Sequence, residues 1–156
     1  MGREIERKFL IDLDILGELT DGMSIKQGYI ATQDYTAVRV RIKDANAWLS
    51  LKGKVTGISR LEFEYPIPVA EAEEIMTKLC SGGIVEKTRY ELKVNNHLWE
   101  IDIFSGDNEG LVVAEVELED EDEPLELPEW IVQEVTEELR YYNVNLLELP
   151  YKAWTS

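Results

Sequence analysis

The chain begins Gly2-Arg3-Glu4-Ile5-Glu6-Arg7-Lys8, and this stretch indicates both the secondary structure and the chemistry of the fold. In a β-strand, side chains alternate between two faces, so Glu4, Glu6 and Lys8 share one face and Ile5 takes the other. Two carboxylates at this spacing repel each other unless a partner holds them, and a divalent cation is such a partner. The neighbouring lysine suggests an anion on that cation. The opening strand therefore indicates a metal ion together with phosphate.

The composition is that of a folded, acidic protein. The length of 156 residues suits one domain covering residues 1–156, and a hydrophobic content of 44% provides enough apolar side chains for a core. The net charge of −16 argues against binding to nucleic acid and to an anionic membrane surface, because both require a basic surface. An acidic chain still binds an anion where its few cations converge.

The cysteine content and the lack of a recognisable export signal both favour the cytoplasm. Cys80 is the single cysteine, which rules out an internal disulfide and favours a reducing environment. No charged-then-apolar leader opens the chain, and no apolar run approaches the roughly 18 residues of a membrane-spanning helix. We therefore expect a cytoplasmic protein, and the sequence leaves monomer and homodimer open.

Short strands separated by turn signals dominate the pattern, with fewer helices between them. Eight strands are predicted at about residues 3–11, 25–32, 36–43, 46–54, 58–67, 85–94, 97–105 and 111–119. A short helix capped by Asp12 and a helix over 69–80 are also predicted. A third helix is expected to begin at Pro128, and a last turn through Leu146 and Leu147 to stop before Pro150. The third helix would bury the stripe Ile131, Val135, Leu139 and Tyr142.

Charged residues alternate with apolar ones along seven of these strands, and each strand tends to carry one sign of charge. Alternation alone is typical of strands with a solvated outer face. The repetition across the strands instead favours an eight-stranded antiparallel sheet closed into a barrel, with a charged lumen and apolar exterior. The predicted fold class is therefore α+β, a closed barrel with helices packed outside it.

The charges of this lumen predict its ligands. Six cations face eight acids, and the surplus carboxylate is expensive to bury unless cations occupy the acidic wall. Oxygen ligands suit Mg²⁺ or Mn²⁺, while arginine forks suit phosphate oxygens. A metal ion bridging a linear polyphosphate accounts for both walls. The cations are Lys8, Arg39, Arg41, Lys52, Lys87 and Arg89, and the acids are Glu4, Glu6, Glu62, Glu64, Glu100, Asp102, Glu115 and Glu117.

The same residues, in this order, resemble the CYTH or triphosphate tunnel metalloenzyme family, especially its small bacterial members. The resemblance covers roughly residues 3–147. It rests on the opening Glu4-Ile-Glu6-Arg-Lys8 and on seven later motifs. These are Gln27-Gly28-Tyr29, Arg39-Val-Arg41, Ser50-Leu-Lys52, Arg60-x-Glu62-x-Glu64, Lys87-x-Arg89, Glu100-x-Asp102 and Glu115-x-Glu117.

The resemblance implies an eight-stranded tunnel that hydrolyses or cyclises triphosphates with divalent metal, here two Mg²⁺ or Mn²⁺ ions. It implies that Glu4, Glu6, Glu115 and Glu117 bind metal. Glu62, Glu64 and Asp102 match acidic positions that help to hold a second ion or orient water. The implied phosphate-binding residues are Lys8, Arg39, Arg41, Lys52, Lys87 and Arg89.

Hydrolysis of inorganic triphosphate by water attack on the terminal phosphorus is the expected activity, because no segment of this short chain is suited to reading a nucleobase. Nucleoside triphosphates and thiamine triphosphate are further substrates that such a tunnel would accept. Cyclisation of ATP is the main enzymatic alternative, since related members use the same cations and metals for it. A polyphosphate-binding module without turnover is the non-enzymatic alternative.

Overall fold

The computed structural model describes residues 2–154. Nine strands and three short helices make up the fold, together with brief 3₁₀ turns. The strands are β1 (Arg3–Ile11), β2 (Met23–Ile30), β3 (Ala37–Lys43), β4 (Asn46–Lys52), β5 (Ser59–Ile67), β6 (Val85–Val94), β7 (His97–Phe104), β8 (Val112–Glu117) and β9 (Ile131–Glu134). The helices are α1 (Leu13–Leu16), α2 (Val69–Lys78) and α3 (Asn145–Glu148).

Eight of the strands close into an antiparallel barrel, which confirms the predicted fold. Their order is β5-β4-β3-β2-β6-β7-β8-β1, and β5 also pairs with β1. This last pairing joins Arg3 to Leu61 and Ile5 to Ser59, so the two ends of the sheet meet. Closure leaves these eight strands with one inward and one outward face, as the alternating charges require.

The apolar face of the barrel points outward and forms the main core. Phe9, Trp99 and Trp130 lie at its centre, with ring centroids 5.4 Å apart for Phe9 and Trp99 and 5.3 Å apart for Trp99 and Trp130. A second cluster forms where helix α2 packs Ala72 and Met76 against Val40 of β3. The covering of the barrel is what allows its interior to be polar.

The helix predicted from Pro128 to Tyr142 is wrong. Residues 131–134 instead form strand β9, which places Ile131 opposite Ile11 of β1. Strand β5 pairs with β1 only as far as Ile5, so the rest of that β1 edge needs another partner, and β9 supplies it. This need for backbone hydrogen bonds outweighs the helical spacing of the apolar residues. A 3₁₀ turn follows at Leu139–Tyr141.

The remaining helices agree with the prediction within a few residues. The Asp12 carboxylate accepts hydrogen bonds from the backbone N–H groups of Asp14 at 2.9 Å and Ile15 at 3.2 Å, which caps α1. Helix α3 ends before Pro150, as expected. Between residues 2 and 154, none of the helices has the length and apolar character needed to cross a membrane.

Candidate active site

The lumen of the barrel is a charged cavity of about 280 Å³. Eight of the chain's sixteen lysines and arginines line it, together with seven carboxylates. Half of all the cations of an acidic protein therefore gather around one small space. The cations are Lys8, Arg39, Arg41, Lys43, Lys52, Arg60, Lys87 and Arg89, and the acids are Glu4, Glu6, Glu62, Glu64, Glu100, Glu115 and Glu117.

The predicted surplus of carboxylate is therefore wrong for the cavity surface. Lys43 and Arg60 also face the lumen. They continue the alternation of β3 and β5, at positions that the six predicted cations do not include. Asp102 is fully buried and lies behind the cavity surface. The cavity is consequently suited to an anion even before any metal ion is considered.

The register of the strands brings the predicted residues together. Residues directly opposite each other in an antiparallel pair share a face. Strand β1 thus places Glu6 opposite Glu117, and Lys8 opposite Glu115. Further around the barrel, Lys52 lies opposite Glu62. Every predicted site residue other than Asp102 lines the same cavity.

Lys52 bridges the acidic side of the cavity. Its ammonium lies 3.3 Å from Glu4 and 3.1 Å from Glu62. Next to it, Glu64 accepts a hydrogen bond from the Ser50 hydroxyl at 3.0 Å and lies 3.5 Å from Arg39. These ion pairs with Lys52 and Arg39 keep the acids apart.

Asp102 anchors two of the predicted phosphate-binding cations. Its carboxylate lies 2.7 Å from the Lys87 ammonium and accepts hydrogen bonds from Arg89 at 2.7 and 2.8 Å. Burial opposes ionisation of Asp102, but Lys87 and Arg89 outweigh it and hold its pKa below the usual value. Burial lowers the pKa of Lys87 to about 7 despite Asp102, and the nearby Arg89 adds to the decrease.

Glu6 and Glu115 are neighbouring acids whose pKa values are shifted in opposite directions. Burial, followed by repulsion from Glu115 and Glu4, raises the pKa of Glu6 well above its usual value. Burial also opposes ionisation of Glu115, but Lys8 at 3.9 Å and Arg89 at 3.7 Å hold its pKa well below the usual value. Glu115 is therefore the stronger acid of the pair and Glu6 the weaker one.

Arg41 lines the cavity without a carboxylate partner among the described residues. Within the described part of the chain, no carboxylate oxygen lies within 4 Å of its guanidinium. Burial lowers its pKa to about 10, with repulsion from Arg39 and Arg89 as further causes. Its Nε donates to Gln27 Oε1 at 2.8 Å, and its two Nη groups make no hydrogen bond to residues 2–154. A half-buried guanidinium with a free fork is a binding group for phosphate oxygens.

Residues 135–154, here called the C-terminal segment, cover one end of the barrel. The Lys8 ammonium donates to the Tyr141 carbonyl at 3.3 Å and lies 5.1 Å from the centre of the Tyr142 ring. The Lys8 backbone N–H donates to the Thr136 hydroxyl at 3.0 Å. Asn143 reaches into the cavity beside Lys87. The helical spacing of the apolar residues between Pro128 and Tyr142 predicts an outer helix and gives no signal that these side chains reach the barrel.

The carboxylates of the cavity fit a hard divalent cation in their chemistry. Burial and repulsion from Glu4, Glu62 and Glu100 raise the pKa of Glu117, so these acids are close enough to repel one another. Among residues 2–154, however, no three acidic, histidine or cysteine side chains already converge on one point as metal ligands would. Lys52 occupies the space between Glu4 and Glu62. An all-oxygen donor set is present, and its members are held apart by lysine and by mutual repulsion.

The raised pKa of Glu6 predicts a stabilising substitution. An acid whose pKa rises on folding contributes less stability as the pH increases from its unfolded pKa towards its folded pKa. Glutamine resembles the protonated acid and avoids this loss. In chelator-containing buffer we expect Glu6→Gln to melt like the wild type near pH 4. Near pH 8 it should melt higher, by about 2–4 °C for each kcal/mol regained.

Differential scanning calorimetry across this pH range measures the difference. Glu18→Gln is the matched control, because Glu18 is exposed and outside the cavity. Its melting temperature should follow that of the wild type at each pH. A Glu6→Gln protein that melts at or below the wild-type temperature near pH 8 would contradict the electrostatic account of this pair.

Comparison with known proteins shows which family the chain belongs to. A model of the CYTH domain matches residues 2–151. An inorganic triphosphatase of Acetivibrio thermocellus is 48% identical over 152 residues, which cover 97% of each chain. An inorganic triphosphatase of Nitrosomonas europaea is 38% identical over 152 residues, 94% of this chain and 99% of that one.

A solved structure shares the same fold. The crystal structure of an inorganic triphosphatase matches with a TM-score of 0.66 at 36% identity, covering 92% of this chain and 93% of the other. The family model, the two relatives and this structure each extend over nearly the whole chain. The protein belongs to the CYTH domain family.

Proposed function

We propose that the protein hydrolyses inorganic triphosphate inside the barrel and releases orthophosphate and pyrophosphate. The observation that carries this proposal is the gathering of half the lysines and arginines around one cavity, with Arg41 unpaired, in a chain of net charge −16. Such a concentration of buried cations is costly unless an anion binds there. Two relatives that match nearly the whole chain are named inorganic triphosphatases, which supports the same substrate.

The cations of the cavity would bind the phosphoryl oxygens. Arg41 offers two free Nη groups, while some of the other cations exchange an existing carboxylate partner for phosphate. Lys52, for example, would leave Glu4 and Glu62 as it turns to the substrate. The full set is Lys8, Arg39, Arg41, Lys52, Lys87 and Arg89.

We also propose that Glu4, Glu6, Glu115 and Glu117 hold Mg²⁺ or Mn²⁺, with two ions per site. When bound, such ions neutralise phosphoryl oxygens and favour attack by water at phosphorus. Glu62 and Glu64 line the same cavity and are proposed to help hold the second ion or orient water. Asp102, which does not reach the cavity surface, is proposed to act by positioning Lys87 and Arg89.

The chemical step needs little beyond position and charge. In-line displacement spreads negative charge over the transferring group and the leaving phosphate, and fixed cations stabilise that charge. The arginine forks and lysines of this cavity are held by ion pairs and buried strands before substrate arrives. Water is the nucleophile, and no covalent intermediate is required.

The lining of the cavity favours an inorganic substrate. The only aromatic side chains among its described residues are Tyr29 and Tyr142, and none of the four tryptophans lines it. A nucleobase would need a stacking surface or a set of directed hydrogen bonds, whereas the groups present here are charges suited to phosphate.

A phosphate-release panel tests the proposal. Tripolyphosphate, ATP, thiamine triphosphate, pyrophosphate and longer polyphosphate are each incubated with the protein in Mg²⁺ and in Mn²⁺, and ATP reactions are also assayed for cyclic AMP. We expect tripolyphosphate to give the highest kcat/KM and a chelator to stop the reaction. Cyclic AMP as the main product would replace the proposal with a cyclase, and tight binding without phosphate release would replace it with a polyphosphate-binding module.

A further inference from the structure

Asn143 is the one amide of the C-terminal segment that lines the cavity. Its Oδ1 accepts two hydrogen bonds, from Gln27 Nε2 at 2.8 Å and from the Lys87 ammonium at 2.8 Å. Gln27 is completely buried on strand β2. A residue far along the chain therefore joins two strands of the barrel at its covered end.

The neighbouring cations fix the orientation of both amides. In its ammonium form Lys87 only donates, which assigns the oxygen to the Asn143 atom that faces it. Arg41 Nε likewise donates at 2.8 Å to Gln27, which makes that atom Oε1 and turns Gln27 Nε2 towards Asn143. The chain of bonds runs from Arg41 through Gln27 to Asn143, and Lys87 closes it from the other side.

This arrangement leaves the other half of the Asn143 amide free. With Oδ1 bonded twice, Nδ2 is the remaining polar atom of the planar amide. No oxygen among residues 2–154 accepts a hydrogen bond from it. Asn143 is only half-buried and borders the cavity, so Nδ2 is accessible to a ligand there. A neutral donor held in place by Gln27 and Lys87 adds direction to a site that otherwise recognises charge.

We propose that Asn143 is a further substrate-binding residue, which donates a hydrogen bond from Nδ2 to a phosphoryl oxygen of the bound triphosphate. The inference rests on the proposed function, because it requires that triphosphate occupies this cavity. It also assigns the C-terminal segment a direct part in binding. The phosphoryl group contacted by Asn143 is the one that Lys87 and Arg41 reach at the covered end of the barrel.

Two substitutions separate substrate contact from a merely structural role. Asn143→Asp keeps the oxygen that accepts from Gln27 and Lys87, but it replaces the free donor with a charged acceptor. Asn143→Ala removes both halves of the amide. If Nδ2 contacts phosphate, the aspartate variant is the weaker binder. If Asn143 only positions Gln27 and Lys87, the aspartate variant loses only what its added charge costs at a distance, and alanine, which loses both hydrogen bonds, is the weaker binder.

Titration calorimetry with tripolyphosphate measures Kd, and steady-state kinetics measures KM and kcat. We expect Asn143→Ala to raise Kd and KM by roughly 3- to 30-fold and Asn143→Asp to raise them by roughly 10- to 100-fold or more. Because kcat should change less than KM in both, the loss is expected in binding. An aspartate variant that binds as well as or better than the alanine variant overturns the inference.

Asn96→Asp is the matched control. Asn96 is exposed in the turn between β6 and β7 and does not line the cavity, so the same added charge should leave Kd unchanged. Equal melting temperatures of the three variants exclude unfolding as the cause. Wild-type protein that binds tripolyphosphate without hydrolysing it refutes the proposed activity but still permits the Asn143 comparison. Absence of wild-type binding overturns both.

Discussion

Replacing Arg41 with alanine is expected to lower kcat/KM for tripolyphosphate by about 100- to 1,000-fold, the usual effect of removing one preorganised donor to a developing negative charge. Most other cations of the cavity already contact a carboxylate, and part of their charge is spent on it. Arg41 has no acid within 4 Å among the described residues, and its fork is free. It should therefore contribute more to anion binding than any paired lysine or arginine.

Steady-state kinetics on three variants isolates this effect. Arg41→Lys keeps the charge but loses the forked geometry, so it should fall between alanine and the wild type. Lys26→Ala is the surface control, since Lys26 is exposed on strand β2 and does not line the cavity. It should match the wild type. An Arg41→Ala protein within a factor of about three of wild-type kcat/KM, well below the expected loss, would show that the substrate binds elsewhere.

Glu6→Gln is expected to lower turnover of tripolyphosphate by at least about 1,000-fold while the protein stays folded. The proposed ion needs charged oxygen ligands, and glutamine at position 6 offers only a neutral one. The same substitution removes a buried carboxylate whose pKa is raised by burial and by Glu115 and Glu4. The variant should thus be less active and more stable, the usual exchange between a strained active site and stability.

The kinetic assay uses Mg²⁺ or Mn²⁺ at several concentrations, and circular dichroism confirms that the variant is folded. Glu18→Gln again serves as the control and should retain full activity, because Glu18 lies outside the cavity. A Glu6→Gln protein with near-normal turnover would contradict the role assigned to the acidic wall. Activity that persists undiminished in excess chelator would contradict the proposed metal dependence independently of any mutation.

The barrel could be predicted from sequence because its signal is local and repeated. Alternation of charge and apolar residues occurs in strand after strand, for example around Val40 of β3 and Ile101 of β7. A closed sheet with a polar interior and covered exterior is the simplest structure that accommodates both faces. The observed pairing of β5 with β1 follows from the same reasoning.

Strand β9 could not be predicted in this way because its cause is not local. Residues 131–142 carry apolar side chains at helical spacing, and only the unpaired edge of β1 beyond Ile5 turns four of them into a strand. That edge is more than a hundred residues away in the chain. Local periodicity gives no account of such a demand for hydrogen bonds.

The candidate site also contains residues that the sequence predicts and residues that it does not. Glu6, Arg41 and Lys87 lie on regular strands, so the alternation of side chains along each strand is enough to predict that they face the lumen. Asn143 lies between a 3₁₀ turn and a short helix, where side chains do not alternate between two faces. Only the folded structure shows that it contacts Gln27. For Asp102, the strand alternation predicts the face of the sheet but not that the side chain is buried behind Lys87 and Arg89.

The most direct test of the central claim is phosphorus NMR of wild-type protein turning over tripolyphosphate with Mg²⁺ in water enriched in heavy oxygen. Attack by water on the terminal phosphorus predicts equal amounts of orthophosphate and pyrophosphate, with the label in the orthophosphate alone. Label in the pyrophosphate would show attack at the central phosphorus. No orthophosphate at all would contradict the account, since a cavity with these cations and acids would then bind triphosphate without cleaving it.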